Sequence, residues 1–170
     1  MENSVYKKRY NVTFSIEIKI SKEKLWKLIS SPGHLDNCHP FCKSNKVINW
    51  VEGNYKDELI YLNGLKYIRD FCNFDSGNGY DLFIGEIDGP KSYVVWRIKE
   101  NSKEKCNLTI TVYPYIFARW GRILSYIPFK IYVKPRLKKY LDSVLSGFRY
   151  FIETGEPVPK NHKGKHPWFS

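Results

Sequence analysis

The chain has 170 residues, of which 42% are hydrophobic and 16% aromatic, and it carries a net charge of +11. This length fits one domain around a single core. The opening residues lack the apolar stretch of a secretion signal, and no window approaches the roughly 18 apolar residues of a membrane span. We therefore expect a cytoplasmic protein whose four cysteines are reduced rather than paired in disulphides.

The first predicted elements are a strand and two short helices. Apolar and polar residues alternate over 12–20, which indicates a strand with one buried face. Ser21 is a typical N-cap for the helix predicted from KEKLWKLIS, and SPG at 31–33 ends that helix. A second helical turn is predicted from His34 to Asn37, before Pro40 turns the chain.

Strands then follow one another closely. Turn signals such as Asn63-Gly64 separate six further apolar stretches. These stretches are residues 45–51, 56–62, 65–74, 80–87, 92–98 and 106–115. Short turns between consecutive strands indicate an antiparallel meander.

The last third of the chain contains one ambiguous stretch and one clear helix. Within 116–133, Ile116, Trp120, Ile123 and Leu124 would share a face of a helix that Pro128 interrupts. Apolar residues spaced by three and four then predict a helix from Pro135, with Gly155 as its cap and a length of nearly 30 Å. We divide the chain into a domain, residues 1–155, and a C-terminal tail, residues 156–170. The Trp168-Phe169 pair of this tail either docks on the domain or belongs to a disordered end, and docking is our prediction.

This order of elements predicts an α+β fold, in which a curved antiparallel sheet of about seven strands wraps around a long C-terminal helix. Two short helices follow the first strand. The space that remains between helix and sheet would form a cavity lined by inward side chains.

The chain resembles the START-like superfamily, the SRPBCC or polyketide-cyclase-like group that includes the major birch pollen allergen. The resemblance covers about residues 10–155 and implies the helix-grip fold. It rests on the amphipathic opening strand, on SKEKLWKLISSPGHLDNCHP at the helix-helix corner, on VVWRI late in the sheet, and on LTITVYP before the final helix. These motifs are patterns of residue type and specify no catalytic set.

The resemblance implies a binding function. Proteins of this group bind lipids, sterols, polyketides, hormones or other apolar molecules in the helix-sheet cavity, and some are cyclases, hydrolases or oxygenase subunits. We expect a noncatalytic carrier or sensor of a hydrophobic or amphipathic molecule. The alternative is a cyclase- or hydrolase-type enzyme acting on such a ligand. We expect no cofactor, and the sequence does not indicate an oligomeric state.

Candidate ligand contacts come from strand parity. In LKYIRDFCNF, Tyr67 and Arg69 share the more aromatic face, so we expect both to face the cavity, with Arg69 available to pair with a ligand carboxylate. The alternative is that Arg69 lies at the surface, paired with a neighbouring carboxylate. The other predicted contacts are aromatic side chains and one histidine at the cavity mouth: His39, Tyr61, Tyr80, Trp96 and Tyr113.

The stretch LDNCHPFC, residues 35–42, raises the question of a metal. His34, Cys38, His39 and Cys42 offer zinc-binding atoms, but their spacing matches no common zinc motif. The C-x3-C spacing also differs from that of a redox pair. We therefore predict no metal site, and expect the cysteines to be small apolar core residues.

A basic and aromatic segment, residues 118–139, supports a further alternative, a basic interaction module. It contains Arg119, Arg122, Lys130, Lys134, Arg136, Lys138 and Lys139. Such a segment suits an anionic membrane surface or single-stranded nucleic acid, and we favour the membrane over nucleic acid as a partner. A solvated basic face beside a core helix is the simplest interpretation.

Overall fold

The computed structural model of the protein describes residues 3–117 and 122–170. It shows the predicted α+β architecture, a curved seven-stranded antiparallel sheet with a long helix across its concave side. The strands are β1 Val12–Ile18, β2 Cys42–Val51, β3 Asn54–Tyr61, β4 Lys66–Asp75, β5 Gly79–Gly85, β6 Ser92–Ser102 and β7 Lys105–Tyr113. The helices are α1 Asn3–Lys7, α2 Lys22–Ile29, α3 Leu35–Cys38, α4 Arg122–Pro128 and α5 Lys134–Thr154, and a π-helical turn, Phe129–Val133, joins the last two.

The strand order is β1-β7-β6-β5-β4-β3-β2. Strands β2 to β7 form the predicted meander, and β1 closes the sheet by pairing antiparallel with β7, with Val12 opposite Val112. Helices α2 and α3 carry the chain from one edge of the sheet to the other. This crossing leaves the concave face free for α5.

Local sequence signals determine the helix ends. The Ser21 hydroxyl accepts a hydrogen bond from the Lys24 amide at 3.4 Å at the start of α2. Gly155 ends α5 with φ of 75°, and its amide donates to the Phe151 carbonyl at 2.8 Å. Both predicted caps are confirmed.

Helix α5 approaches α3 closely at Gly147. A Cβ atom added at this position would clash with the Cys38 carbonyl oxygen and lie 2.9 Å from Cδ of Pro40. Only a residue without a side chain allows the helix to lie this close to the corner that follows α3.

The ambiguous stretch is helical from Arg122 to Val133, and residues 116 and 117 form a turn. Proline lacks an amide donor, and Pro128 ends α4 where the π-helical turn begins. Phe129 and Val133 point into the core, whereas Ile123 and Leu124 are exposed. Arg119 and Trp120 lie outside the described residues, and the side chain of Arg122 is also not described.

The C-terminal tail, residues 156–170, packs along α3 and α5. The Val158 amide donates to the Asn37 carbonyl at 2.8 Å, and the Asn161 amide donates to the Pro40 carbonyl at 2.9 Å. His166 and Phe169 are buried. Among the described residues, no helix is both long and apolar enough to span a membrane.

Candidate functional site

A cavity of about 310 Å³ lies between α5 and the concave face of the sheet. Its walls are mostly aliphatic and aromatic. The sheet contributes Leu59, Tyr61, Tyr67, Arg69, Leu82, Ile84, Ser92, Val94, Trp96, Ile110 and Val112, and α5 contributes Leu137, Tyr140, Leu141 and Val144. Leu35, His39 and Leu65, the stretch after β7 (Pro114, Tyr115 and Ile116), and Trp168 and Phe169 of the tail complete the lining.

Three side chains form a hydrogen-bonded polar group on one wall. Nε2 of His39 lies 2.9 Å from Oη of Tyr140, which lies 3.2 Å from Oη of Tyr61. These residues come from the corner after α3, from α5 and from β3. The contact therefore joins three separate elements at one point.

The backbone determines the tautomer of His39. The Phe41 amide donates to Nδ1 of His39 at 3.2 Å, so Nδ1 is an acceptor and Nε2 carries the proton. Burial, with the positive charges of Arg69 and Lys160, lowers the pKa of His39 to about 3. His39 is therefore neutral at pH 7 and donates from Nε2 to Tyr140.

Three tyrosines of the cavity, Tyr61, Tyr67 and Tyr140, are protonated. Burial raises the pKa of Tyr61 and of Tyr140 well above the ordinary value of a phenol. Tyr67 and Tyr115 form a second, half-buried hydroxyl pair with oxygen atoms 3.4 Å apart, and burial also raises the pKa of Tyr67. The polar lining thus consists of neutral hydroxyl groups and one neutral imidazole, apart from Arg69.

Arg69 forms a buried ion pair with Asp57 of the neighbouring strand. Nε of Arg69 donates to Oδ1 of Asp57 at 2.7 Å, and Nη2 contacts Oδ2 of Asp57 and Oδ1 of Asn45. Burial alone would lower the pKa of Arg69, but the Asp57 charge and hydrogen bonds outweigh it and raise this pKa. Asp57 is directly opposite Arg69 in the β3–β4 register.

The structure brings five of the seven predicted contact residues together. His39, Tyr61, Tyr67, Arg69 and Trp96 all line the cavity. The expectation that Arg69 is available to a ligand carboxylate is corrected, because the guanidinium is already paired with the carboxylate of Asp57. The alternative placed Arg69 at the surface, paired with a neighbouring carboxylate. The pairing is present, but Arg69 and Asp57 are both buried.

The other two predicted contacts lie elsewhere. Tyr80 shares the inward face of β5 with Leu82, but it lies beyond the cavity, stacked on Phe74 and Trp96 in the core. Tyr113 points to the outer face of the sheet, where it lies 5.8 Å from the ring of Tyr93. The inward residue at this point of β7 is Val112.

Sequence reasoning missed several contributors. Asp57, Leu59 and Tyr61 are spaced by two residues and therefore share the apolar face of β3. An acidic residue on such a face needs a buried partner, and this was a signal in the sequence. Tyr140 belongs to the apolar stripe of α5, and nothing in that periodicity separates it from an ordinary core residue. Its role depends on the position of His39, 101 residues away.

The stretch 35–42 forms a packed corner. Nδ1 of His34 donates to the Ser31 carbonyl at 2.7 Å, and the thiol of Cys42 donates to Oδ1 of Asp36 at 3.6 Å. Burial raises the pKa of Cys38 and of Cys42 to about 12, so both are neutral thiols. Among residues 3–117 and 122–170, no group of three or more His, Cys, Asp or Glu side chains is placed to hold a metal ion.

Solved structures share this fold. A START superfamily protein from Mycobacterium smegmatis aligns with a TM-score of 0.62 at 12% identity, covering 84% of this chain and 97% of that protein. A conserved protein from Geobacillus kaustophilus aligns with a TM-score of 0.60 at 21% identity, covering 86% and 97% of the two chains. DynU16, from the dynemicin biosynthetic locus, aligns with a TM-score of 0.61 at 12% identity, covering 86% of this chain and 48% of that protein.

These likenesses establish a START-like helix-grip fold for the chain. No protein-family model and no curated protein sequence matches it.

Proposed function

We propose that the protein binds an apolar or weakly amphiphilic small molecule in the cavity and acts as its carrier or sensor. The observation that carries the proposal is a cavity of about 310 Å³ with a mostly apolar lining and a few convergent polar groups. Ligand sites in proteins have this character, and their volumes range from about 300 to 1,000 Å³. The ligand we expect is therefore small, in the class of a short lipid or a compact polyketide.

Two features favour carriage over catalysis. A general acid or base works best with a pKa near the operating pH, but burial moves the pKa of His39 down to about 3 and that of Tyr61 upward. Arg69, the charged residue of the cavity lining, is already paired with Asp57. A cyclase or hydrolase acting on the same ligand is the alternative.

Native mass spectrometry of freshly purified protein tests this proposal. We expect a bound small molecule that is released unchanged after incubation, whereas a converted molecule would support the enzyme. Val144→Phe places extra volume in the cavity and is expected to reduce binding of the neutral dye Nile red. Val47→Phe, at an exposed position outside the cavity, is the matched control. Equal dye binding by both variants would contradict the location of the site.

A second function, attachment to an anionic membrane surface, is favoured by one specific surface. Four large apolar side chains of α4 and the π-helical turn are exposed: Ile123 by 90%, Leu124 by 74%, Ile127 by 64% and Ile131 by 70%. Monomeric soluble proteins rarely expose such residues in one contiguous patch. We call these four residues the apolar ridge.

The charge around the apolar ridge favours lipid over a second copy of the chain. No Asp or Glu occurs between Glu104 and Asp142, whereas eight Lys or Arg residues do. Lys130, Lys134 and Lys138 are exposed beside the ridge. Two copies meeting through this face would bring like charges together, but anionic headgroups would be attracted to it.

Vesicle sedimentation tests membrane attachment. We expect binding to phosphatidylcholine vesicles that contain phosphatidylserine, weaker binding to pure phosphatidylcholine, and a loss of binding at high salt. The double change Ile123→Ser and Ile127→Ser should abolish binding, and Ile87→Ser, equally exposed in the β5–β6 loop, should not. Equal binding to both vesicle types, or a dimer in solution that the double change dissociates, would contradict a membrane role.

A further inference from the structure

The one charged side chain of the described cavity lining is balanced by a buried partner. Among the described lining residues, Arg69 is the only side chain that is charged at neutral pH. Its partner Asp57 is buried with it and supplies the opposite charge through two hydrogen-bonding contacts. The guanidinium also lies over the ring of Phe71, 5.2 Å from its centroid. A ligand carboxylate placed in this cavity would therefore be a third buried charge without a balancing partner, which is strongly unfavourable.

The hydroxyl pair of Tyr61 and Tyr140 provides one proton for a ligand. Nε2 of His39 donates to Oη of Tyr140, so that bond uses no phenol proton. Tyr61 and Tyr140 together have two phenol protons, and the bond between them uses one. In the described hydrogen bonds, the second proton has no acceptor, and it belongs to a group that lines the cavity.

We propose that the cavity selects uncharged molecules that carry a hydrogen-bond acceptor, such as a ketone, ester or alcohol on an apolar chain or ring, over carboxylates of the same size. The free phenol proton of the Tyr61–Tyr140 pair donates to the acceptor oxygen, and Asp57 determines the selectivity by cancelling the charge of Arg69. This inference depends on the proposed ligand-binding function of the same cavity.

A matched pair of probes tests the selectivity in the unmodified protein. We expect 2-decanone to displace Nile red at a concentration at least about tenfold lower than decanoate at pH 7, because only decanoate brings an unbalanced charge. Equal or tighter binding of decanoate would overturn the inference and leave ligand binding intact. If neither probe displaces the dye and the dye itself does not bind, the proposed function fails as well.

The role of Asp57 is tested by removing its carboxylate, so that nothing balances the charge of Arg69. Asp57→Asn keeps the shape of the side chain and leaves the guanidinium unbalanced, so decanoate affinity should rise at least about tenfold. The double variant Asp57→Asn with Arg69→Gln is neutral again, so it should return to the preference for 2-decanone even if the single variant folds poorly. A preference for decanoate in the double variant would overturn the role of the pair.

The role of the hydroxyl proton is tested by the double variant Tyr61→Phe with Tyr140→Phe, because either single change breaks the bond between the two tyrosines and leaves one phenol proton free. Loss of one neutral hydrogen bond should weaken 2-decanone binding by roughly five- to tenfold, with little change in Nile red binding. Tyr113→Phe removes a hydroxyl from the outer face of the sheet and is the matched control. Equal affinities in the double variant and the control would show that the Tyr61–Tyr140 pair does not bind the acceptor oxygen.

Discussion

The ring of Phe169 is stacked on the ring of Tyr61, with centroids 4.4 Å apart and planes inclined by 26°. Phe169 also lies 4.5 Å from the ring of Tyr140. The C-terminal tail therefore covers the two tyrosines whose hydroxyl groups face the cavity. The predicted docking of the Trp168-Phe169 pair is present in the structure, and the tail forms one wall of the cavity.

Loss of this wall should destabilise the protein. We expect Phe169→Ala to lower the free energy of unfolding by about 3 kcal/mol, as for other buried phenylalanines, and deletion of residues 160–170 to lower the melting temperature further. Urea and thermal unfolding measure both effects. Ile87→Ala, at an exposed position, should have almost no effect, and an unchanged melting temperature after deletion would contradict docking.

Removing one partner of the buried ion pair should lower the free energy of unfolding more than replacing both partners. Either Arg69→Gln or Asp57→Asn leaves one buried charge unpaired, so each should lower the free energy of unfolding by about 3–5 kcal/mol. The double variant should recover most of that loss because it contains no buried charge. A double-mutant cycle from urea unfolding measures the coupling, and strictly additive losses would contradict a paired arrangement.

Stability should fall as the pH decreases below about 6.5. Burial, with the charge of Arg69, lowers the pKa of His34 and of His39 to about 3, whereas both titrate near 6.5 in the unfolded chain. Between these values the unfolded state binds more protons, so each histidine contributes stability that is complete above pH 6.5 and decreases by about 1.4 kcal/mol per pH unit. His39→Gln should remove about half of this slope, as measured by urea unfolding from pH 7 to 5. The same slope in the variant would contradict a neutral His39.

The close approach of α5 to α3 should not tolerate a methyl group. Gly147→Ala places Cβ against the Cys38 carbonyl, and we expect a loss of about 1–3 kcal/mol despite the higher helix propensity of alanine. Glu153→Ala, on the exposed side of the same helix, should change stability by less than about 0.5 kcal/mol. Chemical unfolding compares the two, and a more stable Gly147→Ala protein would show that the helix can move away from α3.

The sequence predicted the architecture because its signals are local. Alternation over β1, the turn residues of the meander, and the three- and four-residue spacing of α5 depend on neighbours within a few positions. Positions beyond an irregularity are harder to predict. The β4–β5 register shifts between Phe71 and Asn73. Parity alone would place Phe74 on the outer face, yet it stacks with Tyr55 and Tyr80 in the interior.

The site was predicted less completely because its partners are distant in sequence. Strand parity placed Tyr67 and Arg69 at the cavity, but nothing near Arg69 in the chain identified Asp57 as the carboxylate that neutralises it. Tyr113 illustrates the opposite error, because aromatic character suggested a cavity position that the pleat of β7 gives to Val112. The contact of the tail with Tyr61 links residues more than 100 positions apart.

The pairing of β1 with β7 also has a consequence for folding order. Every other strand pair is a hairpin between consecutive strands, but Val12 meets Val112 only after a hundred residues of chain have been brought together. Long-range pairings of this kind slow folding because their loop-closure entropy is lost before any contact compensates for it. We expect the meander to form first as an open sheet, with its inner face exposed to water. The chain would therefore be most prone to aggregation in a cell during the interval before β1 pairs with β7.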